Sequence, residues 1–223
     1  MSREDKIYDF LRKTLFIEVV ILVLIVSGCY PPAATMQDAR MVGKNNARLT
    51  GYWYGLEDAG DGGEKVANVY GGLLGIGSSD RTEVQFRLDH FSFVGAGDDE
   101  DSGYEFVSIA PKFGLSEDRL ALLVPIGMYI ENGISFETTQ IHPTLLASQP
   151  VGRGFEVNAA AKVIFPFDQD YYTWFDVGVG VGVSSDLDRW MLLPEVSYTI
   201  CLDEDEVDPV WTYGIALVYL AHP

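Results

Sequence analysis

From residue 45 onward, apolar and polar residues alternate with a period of two, interrupted at regular intervals by short polar breaks. Successive side chains of a strand point to opposite faces, so each such run predicts a β-strand with one apolar face. The segment "FDVGVGVGVSS", residues 175–185, is the most regular: Val177, Val179, Val181 and Val183 share one face and Gly178, Gly180 and Gly182 the other. Ten segments read this way: 45–56, 65–74, 81–94, 103–113, 119–131, 137–147, 154–166, 171–184, 189–201 and 210–220. The breaks between them are rich in Gly, Asp, Asn, Ser and Pro, as turns require. The segment at 65–74 alternates least well. Pro111, Pro125 and Pro143 fall inside proposed strands, where each removes a ladder donor and predicts a bulge or broken pairing.

The strands are long, roughly 11 to 13 residues where soluble strands have a mode of about 5–6. A strand crossing a bilayer takes about 9–11 residues. Long alternating strands joined by short turns, from about 45 to 220, resemble bacterial outer-membrane β-barrels in pattern, without a specific motif. The resemblance implies an all-β fold, a single antiparallel up-and-down barrel of about ten strands. The apolar faces then meet lipid and the polar faces line the lumen. The lumen candidates are Glu83, Gln85, Arg87, Asp89, Lys112, Gln140, His142, Glu156, Asn158, Lys162 and Glu195. Their signs are mixed, so they can pair across a narrow interior. Small residues such as Ala160, Gly178, Gly180, Gly182 and Gly214 leave room for them. Aromatics near strand ends (Trp53, Tyr54, Tyr104, Tyr129, Tyr171, Tyr172, Trp174, Trp190, Trp211, Tyr213) predict interfacial girdles.

The N-terminus predicts export. Arg12 and Lys13 precede an apolar run whose uninterrupted part, Val19 to Val26, is too short to span a bilayer and suits a signal peptide; an uncleaved anchor helix over residues 10–28 is the alternative. "Val26-Ser27-Gly28-Cys29" resembles the bacterial lipobox, with Val in place of the commoner Leu. That resemblance implies cleavage before Cys29 and lipidation of its thiol. The expected organisation is a signal peptide at 1–28, a lipidated tether at 29–44 stiffened by paired prolines, and a barrel domain at 45–223. Localisation follows: outer membrane, anchored at the N-terminus.

Charge adds polarity to the barrel. The net charge is −18, which argues against nucleic acid as a partner. Arg48, Arg81, Arg119, Arg153 and Arg189 recur every 33 to 38 residues at the starts of odd-numbered strands, placing them at one rim. Acids crowd the connections at the other. Asp98, Asp99, Asp101, Asp203 and Asp205 are weak cation candidates, but no EF-hand spacing appears, and no metal site or cofactor is assigned. "GGLLGIG" at 71–77 has no helix after it to hold a phosphate.

No Ser/His/acid spacing is recognisable. His142 reads as a polar wall residue rather than a catalytic one, and His90 and His222 carry less signal still. The expected function is therefore a non-enzymatic barrel lipoprotein: a narrow pore or transport accessory, or an envelope interaction protein. Its partners would be outer-membrane lipid, with lipopolysaccharide and divalent cations or an envelope protein beside it. Two alternatives are a lipid-tethered, lipocalin-like soluble barrel that binds an apolar ligand, and a lipid-modifying barrel enzyme.

Overall fold

The computed structural model describes residues 34–60, 63–94, 103–117, 119–130, 136–168, 170–203 and 207–221. The expected signal peptide, Cys29, Asp98, Asp99, Asp101, Asp205 and His222 lie outside them. Ten antiparallel strands close on themselves: β1 (Ala47–Asp58), β2 (Lys65–Ser79), β3 (Thr82–Phe93), β4 (Gly103–Ser116), β5 in two pieces (Leu120–Leu123 and Ile126–Ile130), β6 in two pieces (Gln140–Ile141 and Thr144–Pro150), β7 (Phe155–Pro166), β8 (Trp174–Val183), β9 (Trp190–Cys201) and β10 (Val210–Ala221). Each strand pairs with its sequence neighbour, and β1 pairs with β10 from Ala47↔Ala221 to Asp58↔Val210, so no edge is left open. The near rim, where the chain enters β1, carries the tight turns. The far rim carries the longer connections.

Two of the three prolines named from the sequence break the pairing. β5 is interrupted at Val124–Pro125 and β6 at His142–Pro143, and the gaps lie side by side, with His142 N donating to Pro125 O at 2.9 Å. β4 runs unbroken through Pro111, contrary to expectation. Its missing donor faces the β5 gap, where Val124 N donates to Pro111 O at 3.0 Å, so one kink in the wall accommodates both prolines. β2 extends to Ser79, beyond the alternation that ended at 74, pairing with β1 as far as Ile76 and with β3 as far as Ser79.

The polarity is that of a membrane barrel. Leu49, Ile76, Phe86, Leu88, Ile109, Phe155, Val179, Ile215 and Leu217 point outward and are exposed. Val177, Val181 and Val183 join them, while Gly178, Gly180 and Gly182 turn inward against Glu195 and Glu156. Outward aromatics form two levels. Trp190 faces Tyr219 toward the near rim, and Trp53, Tyr198, Trp211 and Tyr213 cluster toward the far rim, with Tyr198 and Trp211 rings 4.6 Å apart. Tyr54, Tyr104, Tyr129 and Trp174, read as girdle residues, instead point into the lumen. There Phe91, Tyr104, Phe106 and Tyr129 pack ring against ring at 4.8–5.8 Å. Parity decides this: a residue near a strand end belongs to a girdle only if it also faces outward.

Candidate functional site

The lumen is occupied by the chain itself. Residues 34–42, which fall in the stretch read as a tether, run inside the barrel; Ala34, Thr35, Met36, Gln37, Asp38, Ala39 and Val42 are all buried. From Ala34, at mid-height beside Arg87, this arm descends to the near rim and reverses into β1 through a turn at Gly43–Asn46. Gly43 (φ 79°) and Asn45 (φ 64°) supply the left-handed conformations that the reversal needs. Asn45 N donates to Gly77 O at 3.1 Å and Gly77 N to Asn46 O at 3.0 Å. A Cβ at Gly77 would lie 1.8 Å from Gly43 O, so only glycine lets the turn dock there.

An extended arm in a lumen has no strand beside it to satisfy its backbone, so side chains must do so. Glu195 accepts from the amides of Thr35 (2.7 Å) and Met36 (2.9 Å), one on each carboxylate oxygen. Ser148 Oγ accepts from Ala39 N at 2.7 Å and donates to Asn158 Oδ1. Lys112 Nζ donates to the carbonyls of Asp38 (3.0 Å) and Arg40 (2.7 Å), and Arg48 donates to Arg40 O at 2.8 Å. Arg87 donates to Ala34 O at 3.0 Å.

Charge pairs knit the arm to the wall. Asp38 sits 3.0 Å from Arg48 and 3.1 Å from Arg40, and Arg40 lies 3.3 Å from Glu156. Burial alone would raise the Asp38 pKa, but the positive charges of Arg48, Arg40 and Lys112 outweigh it and hold the carboxyl at about 2. Lys112 also lies 4.0 Å from Glu83, whose other oxygen accepts from Gln85. Higher up, Asp89 accepts from Arg87 at 2.9 Å and from the Tyr52 hydroxyl, and Arg87 lies over the Tyr52 ring. Lys162 pairs with Asp176 at 3.5 Å, and Thr199 donates to Asp176 at 2.8 Å. His142 stacks on Phe106 with ring centroids 5.5 Å apart and shares a 3.0 Å hydrogen bond with Gln140.

Each lumen candidate named from the sequence thus lies inside the barrel: Glu83, Gln85, Arg87, Asp89, Lys112, Gln140, His142, Glu156, Asn158, Lys162 and Glu195. They do not form one cluster. Arg87, Lys112, Glu156 and Glu195 contact the arm directly and Asn158 reaches it through Ser148, while Lys162 with Asp176, and Gln140 with His142, form separate small groups. Sequence reading missed Asp38, Arg40, Tyr52 and Asp176, and it placed Arg48 at the rim. Arg48 instead turns inward and is buried, whereas Arg81, Arg119, Arg153 and Arg189 are exposed. For Asp176 and Arg48 the strand parity was the available signal. Asp203 is exposed, with one carboxylate oxygen accepting from Thr173 N. Among the described residues no cluster of three metal-ligating side chains occurs.

Arm and wall together leave a residual cavity of about 20 Å³ lined by Thr35, Gln37, Gln85, Arg87 and His142, room for about one water.

No protein-family model and no curated protein sequence matches the chain. Solved structures do match in fold. An outer-membrane channel from Pseudomonas putida F1 superposes with a TM-score of 0.50 at 11% identity, covering 84% of this chain and 100% of that one. The outer-membrane protease OmpT from Escherichia coli gives 0.44 at 12% identity, covering 79% and 96%. The N-terminal β-barrel domain of Pseudomonas aeruginosa OprF gives 0.36 at 12%, covering 80% and 99%. The fold defined by closure, strand number and inverted polarity is that of the bacterial outer-membrane β-barrels.

Proposed function

We propose that this chain resides in an outer membrane as a barrel sealed by its own N-terminal arm. What it presents to the envelope is then its wall and far rim, not an open channel. The observation that carries this reading is the buried arm, tied at both ends of its path by Glu195 and by the Asp38–Arg48 pair. The outward apolar band supports residence in lipid. A lipocalin-like carrier needs the opposite polarity and an empty apolar interior, and here charged groups and the arm fill that space.

Lipidation at Cys29 belongs to the same reading. Neighbouring outer-leaflet lipid and an envelope protein are the partners proposed. A second reading, a narrow pore opened when the arm withdraws, is favoured by one feature: the groups that hold the arm are charged, and would line a hydrated path without it. Planar-bilayer recording separates the two. The sealed barrel is electrically silent, and removing residues 34–42 opens it. A steadily conducting full chain would contradict the seal.

A further inference from the structure

In the membrane-facing wall one pair stands out. Among the described strand residues, outward-facing acids, bases and histidines occur toward the strand ends: Glu57 and Lys65 at the rim itself, and His90 and Glu105 two to three positions inside it, in register with Tyr70 and Trp53. These two face each other across β3 and β4 in register, and His90 Nδ1 lies 2.8 Å from Glu105 Oε1. Both remain substantially exposed, at 52% and 42% of the side chain. Their surroundings are apolar. On the same outward face, Leu88 precedes His90 and Val94 lies beyond it, Tyr70 stands opposite on β2, and Val107 follows Glu105. A hydrogen-bonded imidazole–carboxylate pair on the outward face, at the level of the far-rim aromatics, does nothing for the lumen and stands where lipid headgroups and ester linkages meet the wall.

Two further residues complete a constellation. Ser92 is two positions beyond His90 on the same strand face, and its register partners are Gly103 on β4 and Asn68 on β2. An atom placed at the Cβ position of Gly103 would lie 3.2 Å from His90 Cε1 and 3.6 Å from its Nε2. The imidazole therefore leans over Gly103, with Nδ1 turned to Glu105 and the Nε2 side toward the row that holds Ser92. A carboxylate on Nδ1 fixes the tautomer that leaves Nε2 free as a base. Ser92, two positions along the same outward face and in register with the Gly103 over which the imidazole leans, is the candidate nucleophile.

We propose that Ser92, His90 and Glu105 form a hydrolytic site on the outer wall of the barrel, acting on acyl esters of the surrounding lipid leaflet. Ser92 Oγ attacks the ester carbonyl carbon and its proton passes to His90 Nε2. The carbonyl–oxygen bond to the leaving alcohol breaks, and that alkoxide takes the proton from His90. Water then attacks the acyl-serine in the same way, releasing the fatty acid and restoring Ser92. Glu105 accepts from His90 Nδ1 and holds the imidazolium that forms in each half. A membrane bilayer delivers substrate laterally to such a site, which explains why it stands on the wall and not in the filled lumen. The lumen serves as the rigid scaffold behind it.

The test uses the full chain reconstituted in two kinds of vesicle, one of phosphatidylethanolamine and one containing lipopolysaccharide, with released fatty acid measured by mass spectrometry. Release from either supports the site, and the vesicle that yields it identifies which lipid supplies the ester. Ser92→Ala and His90→Gln should each lower release by at least about 100-fold, the scale of a lost nucleophile or base. A fluorophosphonate probe should label Ser92 in the wild type and lose that label in His90→Gln. Heat-modifiable gel mobility of each variant shows that the barrel has folded. Folded wild type that releases nothing from either vesicle, or release that persists in Ser92→Ala, overturns the proposal.

Discussion

The Asp38 carboxylate and the Arg48 guanidinium meet at 3.0 Å inside the lumen, joining the arm to the first strand that follows it. Both side chains are almost wholly buried, so neither can be left alone without a large penalty. Breaking a buried pair by removing one partner costs about 3–5 kcal/mol. Asp38→Ala should therefore release the arm while the ten strands stay closed. Limited proteolysis near residues 34–42, resistant in the wild type, should become fast in the variant, with the barrel fragment intact. Equal resistance would show that the pair does not hold the arm.

The same carboxyl sets an acid limit. Its pKa is held at about 2 in the folded protein, below the ordinary carboxylate value of 3.8, so it is a depressed acid. Its contribution is complete above the unfolded value and is lost as pH falls through the folded one. The difference is worth about 2 kcal/mol as an order of magnitude. Conductance across a bilayer should stay silent from neutral pH down to about pH 4 and rise toward pH 2. Opening already near pH 6 would place the controlling group elsewhere.

The Gly43–Gly77 approach gives a steric test. A Cβ at Gly77 would collide with the Gly43 carbonyl at 1.8 Å, a backbone atom that cannot move without the turn. Gly77→Val should expel the turn and destabilise the docked arm, again seen as protease sensitivity near 34–42. Gly51→Ala, where a Cβ meets nothing within 4 Å, is the matched control and should leave the arm in place.

Much of the wall was legible in the chain. Period-two alternation placed ten strands within a few residues of their ends, and the same parity separated Glu83 and Gln85, inside, from Phe86 and Leu88, outside. The arm was not legible. "AATMQDARMV" has no periodicity, and its partners, such as Glu195 to Thr35, stand 160 residues away. Arg48 was read as a rim charge because its spacing matched four rim arginines, though its position two before the inward Thr50 placed it in the lumen. The His90–Glu105 pair lay across a turn of unknown register, and only the pairing of β3 with β4 makes a dyad of two residues 15 apart.

The N-terminal cysteine has its own test. Cys29→Ser should abolish incorporation of labelled fatty acid while the barrel still folds and shows heat-modifiable mobility. Continued labelling would refute the lipobox reading.

Hydrogen exchange of the unmodified protein in lipid nanodiscs tests the central claim most directly. The amides of Thr35, Met36 and Ala39 are bonded to Glu195 and Ser148 within the wall. Peptides covering 34–42 should exchange as slowly as those of β1 and β9, over hours. Exchange of these peptides within seconds, beside protected strands, would mean that the arm does not occupy the lumen.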